Sequence, residues 1–232
     1  LSLKFSDAGG FHANLPLVNF PVFPTSSVSD ILKLVKAMKL SQVNDDTKTE
    51  KIFSTLDIIG KFASLTAHTP FLPMLNVMRK SLSISKDFVM NFNYHSVGCY
   101  RFGDAVCKFR VMPFRKFDIS DAEERVQQEM LREVMASRDV EFQLQVQICR
   151  DIEGQPINDL MKEWPEDQFR NLGIIKFQAQ QIIDSSSQEL EHMSFNPFDN
   201  VETLLPTGRI QRTRLETYRA AHEARTTGPV LK

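Results

Sequence analysis

No apolar run in this sequence comes near the roughly 20 residues that a membrane-spanning helix requires, and no secretory signal pattern opens the chain. Excess charge of one sign is lacking as well. With 28 Lys and Arg against 29 Asp and Glu, the formal net charge is −1, so electrostatics give no reason to invoke nucleic acid or an anionic surface as partner. The three cysteines, Cys99, Cys107 and Cys149, share no metal-ligand spacing and would leave an odd thiol if paired. Read as buried free thiols, they favour a reducing interior. No internal repeat or low-complexity segment is present. Tyrosine and tryptophan are scarce, at 3 and 1, whereas phenylalanine reaches 18. A phenylalanine-rich interior suits a large flat apolar group, but it equally fills an ordinary core, so composition assigns no function.

The chain has 232 residues, enough for one large domain or two small ones, and its pattern is of strands interrupted by a helical insertion. Residues 1–6 and 15–23 read as strands, with prolines at 16, 21 and 24 confining them to ends or edges. Ser27 is placed to cap a helix running to about Leu40, with Ile31, Leu34, Val35 and Met38 as its apolar stripe. Further helices are expected from Ile52 to about Thr69 and around Met74–Met78. From Asp87 the period changes to two. Phe88, Met90, Phe92 and Tyr94 predict a strand, as do Phe142, Leu144, Val146 and Ile148, whose other face is Glu141, Gln143, Gln145 and Gln147. A face so polar and so little charged lines a barrel, packs on another layer, or meets solvent. Ser120–Arg138 reads as a charged amphipathic helix and Ile174–Gln180 as another strand. Together these predict one α+β domain over residues 1–232, an antiparallel β-barrel with external helices.

The most informative stretch is Arg214-Leu-Glu-Thr-Tyr218-Arg-Ala-Ala-His222-Glu-Ala-Arg225. Offsets of 4, 4 and 3 bring Arg214, Tyr218, His222 and Arg225 onto nearly one line along a helix. An arginine one turn from a tyrosine stabilises the phenolate, and an anionic oxygen on a rigid helix is a ligand for ferric iron. By themselves these residue types also form a solvated, salt-bridged helix face.

Other segments decide between the two readings. Lys4-Phe5 is followed by Asn19-Phe-Pro21-Val-Phe23, then Gly103-Asp-Ala-Val-Cys-Lys108-Phe109 and Phe142-Gln-Leu-Gln145-Val146. Pro156-Ile-Asn-Asp159-Leu160 leads to Trp164-Pro165, and Phe195-Asn-Pro197 precedes the Arg-Tyr-His-Arg helix. In this order the blocks resemble those of haem-dependent catalases, whose proximal helix reads Arg-x3-Tyr-x3-His-x2-Arg. Phe-Asn-Pro and the run Pro206-Thr-Gly208-Arg-Ile210-Gln-Arg212-Thr-Arg214 are most similar to the small, divergent catalase-like branch.

The resemblance implies a fold of the catalase type, a haem b cofactor and a peroxide substrate. It implies that Tyr218 is the iron ligand and that Arg214 keeps it anionic, with His222 and Arg225 on the propionate side. Phe23 matches an aromatic residue of the haem pocket, and Ile31 stands where the family has a second phenylalanine. Asn19 lies where the family has an asparagine that hydrogen-bonds the bound peroxide. Strict alignment on Pro21 puts that position on Val18, and a strand bulge would return Asn19 to the pocket. The family's distal histidine lies on strands ahead of the Lys-Phe motif, and His12, His68, His95 and His192 do not take its place. The chain is therefore expected to lack the N-terminal strands of the family barrel. An intracellular location, cytoplasmic or peroxisomal, is expected, and a homo-oligomer is the one protein partner left open, the family's own assembly not being carried over by the resemblance. The implied activity is cleavage of hydrogen peroxide. The alternatives are transformation of fatty-acid hydroperoxides, as in coral allene oxide synthase, or a haem-binding or structural role without turnover.

Overall fold

The structure, a computed structural model, describes residues 1–23, 25, 27–30, 87–118, 124–179 and 193–227. The helices expected over 27–40, Ile52–Thr69 and Met74–Met78 lie outside the described residues except for a first turn, as do Ile31, His68 and His192. At that turn the Asp30 N–H donates to Ser27 Oγ at 3.4 Å, which is the cap the sequence predicts.

Two antiparallel sheets form the frame. Strands β1 (Ser2–Ser6) and β2 (His12–Pro16) make a hairpin with Leu3 opposite Leu15 and Phe5 opposite Ala13. Its turn is tied by Asp7 Oδ1, which accepts from the Gly9 and Phe11 N–H groups, both at 2.8 Å. The second sheet has six strands: β3 (Tyr94–His95), β4 (Cys99–Phe102), β5 (Ala105–Pro113), β6 (Val140–Ile148), β7 (Arg170–Phe177) and β8 (Pro206–Thr207). Its order is β7-β6-β5-β4-β8, with β3 also pairing β5. Helix α1 (Glu124–Ser137) connects β5 to β6, and α2 (Arg209–Thr227) follows β8. The antiparallel α+β fold expected from the alternation is thus present. Among the described residues the six-stranded sheet ends at β7 and β8 without hydrogen-bonded closure into a barrel.

Burial explains the layering. Leu3, Ala13 and Leu15 of the hairpin share one apolar core with Tyr100, Phe109, Val111, Phe142 and Val146 of the sheet and with Val134 and Met135 of α1. Polar contacts also join the layers. Val18 and His95 exchange backbone hydrogen bonds at 3.0 and 2.7 Å. The Asn200 side chain accepts from the Asn14 N–H at 2.6 Å and donates to the carbonyls of Asn14 and Leu204 at 3.3 and 3.1 Å.

The opposite face of the sheet settles the fate of the glutamine row. Its Gln147 end packs under another layer, the segment from Gln155 to Phe169, whereas Glu141 at the other end is exposed. Gln147 Nε2 donates to the Pro165 carbonyl at 2.6 Å, and Arg110 Nε donates to Gln145 Oε1 at 2.9 Å. The Lys108 ammonium lies 4.7 Å from the Trp164 ring centre and the Arg110 guanidinium 3.9 Å from that of Phe169, so the buried cations rest on aromatic faces. His95 pairs with Arg110 across the β3–β5 register. Burial pushes its imidazole down to about 4, and the charges of Arg110 and Lys108 add to the shift.

Three expectations shift. Asp87–Tyr94 does not form one strand: a 3-10 turn occupies Val89–Asn91, and pairing begins only at Tyr94. Asp87 Oδ1 takes the Phe88 N–H at 2.7 Å and the Asn91 amide at 2.9 Å, while Asn91 Oδ1 takes the Phe117 N–H at 2.7 Å. These side-chain bonds offer the backbone a turn in place of a ladder. Of residues 15–23, β2 ends at Pro16, Leu17 still exchanges hydrogen bonds with Leu1 and Val18 bridges His95, and Pro21 has no N–H with which to extend a ladder. Strand β7 starts at Arg170 rather than Ile174, with a register shift between Leu144 and Gln145.

The His95 shift gives stability a pH slope. Above 6.5, the unperturbed value, both folded and unfolded chains hold the ring neutral; between that value and about 4 only the unfolded chain takes up the proton. Stability therefore falls as pH falls through this window, by roughly 3 kcal/mol at its full extent. Urea midpoints measured across the window should slope less in His95→Gln than in wild type; equal slopes would show that the ring is not held neutral. For the layer clamp, Asn200→Ala should cost about 1–3 kcal/mol, since it strands the buried Asn14 N–H and two carbonyls, read as a lower denaturant midpoint at unchanged m-value.

Candidate functional site

Helix α2 is anchored at its start by a distant segment. Gly208 precedes it at φ 103°, the left-handed region that favours glycine, and a Cβ there would crowd Ile157 Cγ2 at 3.2 Å and Asn158 Oδ1 at 3.3 Å. The Arg209 N–H donates to Asn158 Oδ1 at 2.6 Å, so one of the free N–H groups of the helix start is satisfied from outside the helix. The Pro156–Leu160 block thus meets the Pro206–Arg214 run in space. The Phe23 N–H, from a third block, donates to the Leu160 carbonyl at 2.8 Å.

Along α2, Ile210 and Gln211 are buried, Arg214, Leu215 and Tyr218 are half-buried, and Arg212, Glu216 and Arg219 are exposed. The stripe that meets the protein is therefore Gln211–Arg214–Tyr218, as i, i+3 and i+7 neighbours require. Arg214 donates from Nη2 to the Tyr218 hydroxyl oxygen and from Nη1 to Gln211 Oε1, both at 2.7 Å. Gln211 Nε2 donates in turn to the Cys99 carbonyl on β4 at 3.3 Å. Because guanidinium can only donate, the Tyr218 oxygen is fixed as an acceptor. Phe198, from the turn after Phe195-Asn-Pro197, meets the Tyr218 ring edge-on at 6.3 Å.

The other expected residues are placed as follows. Phe23 is half-buried and packs on the apolar cluster of Val97, Leu160 and Ile210, beside the first turn of α2. Asn19 is half-buried, next to the Val18–His95 bridge, and no side-chain contact among the described residues joins it to Arg214 or Tyr218. His222 is exposed on the last part of α2, and Arg225 lies on the same helix with its side chain outside the described residues. His12 opens β2 and is exposed, its Nε2 4.0 Å from Asp199 Oδ1. Sequence reasoning missed Gln211, Asn158, Phe198 and the Cys99 carbonyl. Only Gln211 left a signal, its i−3 spacing from Arg214.

The donor set tests the implied cofactor. Among the described residues no three His, Cys, Asp or Glu side chains gather to hold a bare metal ion. A single phenolic oxygen held by one guanidinium suits a metal that brings its own equatorial donors, as iron does in haem, so the residues fit that group. A separate cavity of ≈390 Å³ opens between hairpin and sheet, lined by Phe5, Phe11, Phe102, Phe109 and Leu144 among others, with no residue of α2. No helix among the described residues is long and apolar enough to cross a membrane.

No family model matches the sequence and no curated protein matches it. Solved structures do. A fungal catalase superposes with a TM-score of 0.69 at 17% identity, over 98% of this chain and 48% of its own. Catalase A from Saccharomyces cerevisiae gives 0.70 at 15%, over 97% and 48%, and a bacterial catalase gives 0.69 at 13%, over 97% and 45%. The chain therefore has a catalase-like fold and spans about half the length of these catalases.

Gly98 provides a check on the Gln211 bridge. A Cβ there would lie 2.3 Å from Gln211 Nε2. The amide end of a flexible side chain can move aside, so the cost lies in its lost hydrogen bonds rather than in the clash. Gly98→Ala and Gln211→Ala should each destabilise by about 1–2 kcal/mol, and the double variant by little more than either. Full additivity in chemical denaturation would show that the glycine acts independently of the bridge.

Proposed function

We propose that the chain binds haem b through Tyr218 and cleaves hydrogen peroxide in the manner of the small, divergent catalase-like branch. The observation that supports this most directly is the 2.7 Å hydrogen bond from Arg214 to the Tyr218 oxygen, set on a helix of a catalase-like fold. In this reading Tyr218 supplies its oxygen to the iron. Arg214 donates to that oxygen and moderates the electron density it delivers, and Gln211 holds Arg214 in the geometry required. His222 and Arg225 lie farther along the helix for the propionates, where paired arginine donors match a carboxylate. Phe23 contributes to the apolar wall, and the Asn19 amide hydrogen-bonds the peroxide. Haem, when bound, supplies the redox chemistry that lets one peroxide be reduced and a second oxidised.

Reconstitution with haem tests the reading. The wild-type protein should show a ferric tyrosinate-type absorption spectrum, and Tyr218→Phe should lose it. Oxygen release from hydrogen peroxide should fall in that variant to the level of free haem. Identical spectra for the two proteins would remove Tyr218 as the ligand. A tyrosinate spectrum with consumption of a fatty-acid hydroperoxide, but no oxygen from hydrogen peroxide, would move the assignment to hydroperoxide transformation.

A further inference from the structure

Among the described residues, Val97 is the one non-glycine residue with a positive φ, 55°. For a β-branched side chain that region is sterically strained. The strain belongs to a three-residue turn, closed by the Gly98 N–H donating to the Ser96 carbonyl at 2.6 Å. Such turns ordinarily have a negative φ at their centre, and the positive form is rare. Ser96 locks it: its Oγ donates to the Gly98 carbonyl at 2.9 Å and accepts the Phe109 N–H at 3.0 Å. Strain of this kind persists only where its surroundings fix it, and it collects at functional sites.

Glycine takes a positive φ at no steric cost, yet the glycine of this loop is the next residue, Gly98. Its missing side chain serves another need, because the Gln211 amide occupies the place where a Cβ would stand. Cys99, one residue further on, offers the carbonyl to which Gln211 Nε2 donates at 3.3 Å. Val97 itself is 7% exposed and shares one apolar cluster with Leu160 and with Ile210, the residue before Gln211 on α2. The strained residue therefore lies where the sheet meets both the first turn of α2 and the segment that caps it.

We propose that Val97 is a positioning residue of the Arg214–Tyr218 pair: its buried side chain holds the loop in the left-handed turn that presents the Gly98 gap and the Cys99 carbonyl to Gln211. What that role serves rests on the haem-binding reading above. Burial of the valine methyls offsets the backbone strain, so a smaller L residue loses the turn, whereas glycine keeps it without needing the methyls. From the turn, hydrogen bonds run through Gln211 to Arg214 and so to the Tyr218 oxygen. A loop held in one backbone geometry gives the arginine one geometry too, as the donor to a metal ligand requires.

The test compares Val97→Ala with Val97→Gly. Alanine keeps the steric cost of a positive φ and loses the methyls that offset it; glycine loses both together. A residue needed for packing alone would make glycine the worse of the two, and positioning reverses that order. In the haem-free protein the Arg214 guanidinium, followed by heteronuclear NMR, should rotate slowly in wild type and in Val97→Gly. It should rotate faster in Val97→Ala, as in Gln211→Ala, and Tm should follow the same order. In the haem-loaded protein the iron–phenolate stretching band should keep its wild-type frequency in Val97→Gly. In Val97→Ala it should move in the direction that Gln211→Ala moves it. A Val97→Gly protein disturbed as much as Val97→Ala overturns the role, and so does an Arg214 that neither variant frees. If the order fails while the wild type shows a tyrosinate band that Tyr218→Phe abolishes, the role of Val97 is overturned and the haem reading stands. If the wild type shows no such band but the order holds in the haem-free protein, the haem reading falls and Val97 still positions Arg214.

Discussion

The buried amide of Gln211 is engaged at both ends: its nitrogen donates to a strand carbonyl, Cys99, and its oxygen accepts from Arg214. Since Arg214 also reaches Tyr218, carbonyl, amide, guanidinium and phenol form one chain from the sheet to the outer half of α2. An arginine on an otherwise exposed helix has many rotamers, and holding it in one geometry costs side-chain entropy. Here that cost is met by a partner whose own position is fixed by burial, the arrangement that keeps a functional side chain within narrow tolerance. The missing Cβ at Gly98 is part of the same constraint, because that is where the Gln211 amide lies.

The sheet supplies the rigidity behind this chain by burying two unlike faces. One is apolar, packed on the hairpin and α1, and holds Tyr100 against Phe109. The other carries Lys108, Arg110, Gln145 and Gln147 under the segment from Gln155 to Phe169. Burying such a face is tolerable only where its groups are bonded or rest on aromatic rings. The covering segment has a second task, since Asn158 within it caps α2 and Leu160 receives the Phe23 N–H. The layer that covers the polar face therefore also sets where the candidate site begins.

Sequence reasoning was strongest where structure is local. The alternation over Phe142–Ile148 predicted β6, and Ser27 predicted a cap that forms. The i, i+4 spacing of Arg214 and Tyr218 predicted two groups in reach of each other, and they are hydrogen-bonded. It was weakest where side chains redirect the backbone. The alternation of Phe88, Met90 and Phe92 is genuine, yet Asp87 and Asn91 bend that segment into a turn by bonding it and the distant Phe117 backbone.

The amino-acid sequence by itself determined the helical stripe of Gln211, Arg214 and Tyr218, because a helix repeats every 3.6 residues and its side-chain neighbours follow from spacing alone. It likewise determined which strand faces are apolar, through the period of two. Only the tertiary structure decided that Gln211 would find a carbonyl 112 residues away, that Asn158 would cap α2 from 51 residues away, and that Tyr100 would be buried with no hydrogen-bond partner for its hydroxyl among the described residues. Those outcomes depend on which segments the packed layers bring together, and no local period encodes such distances.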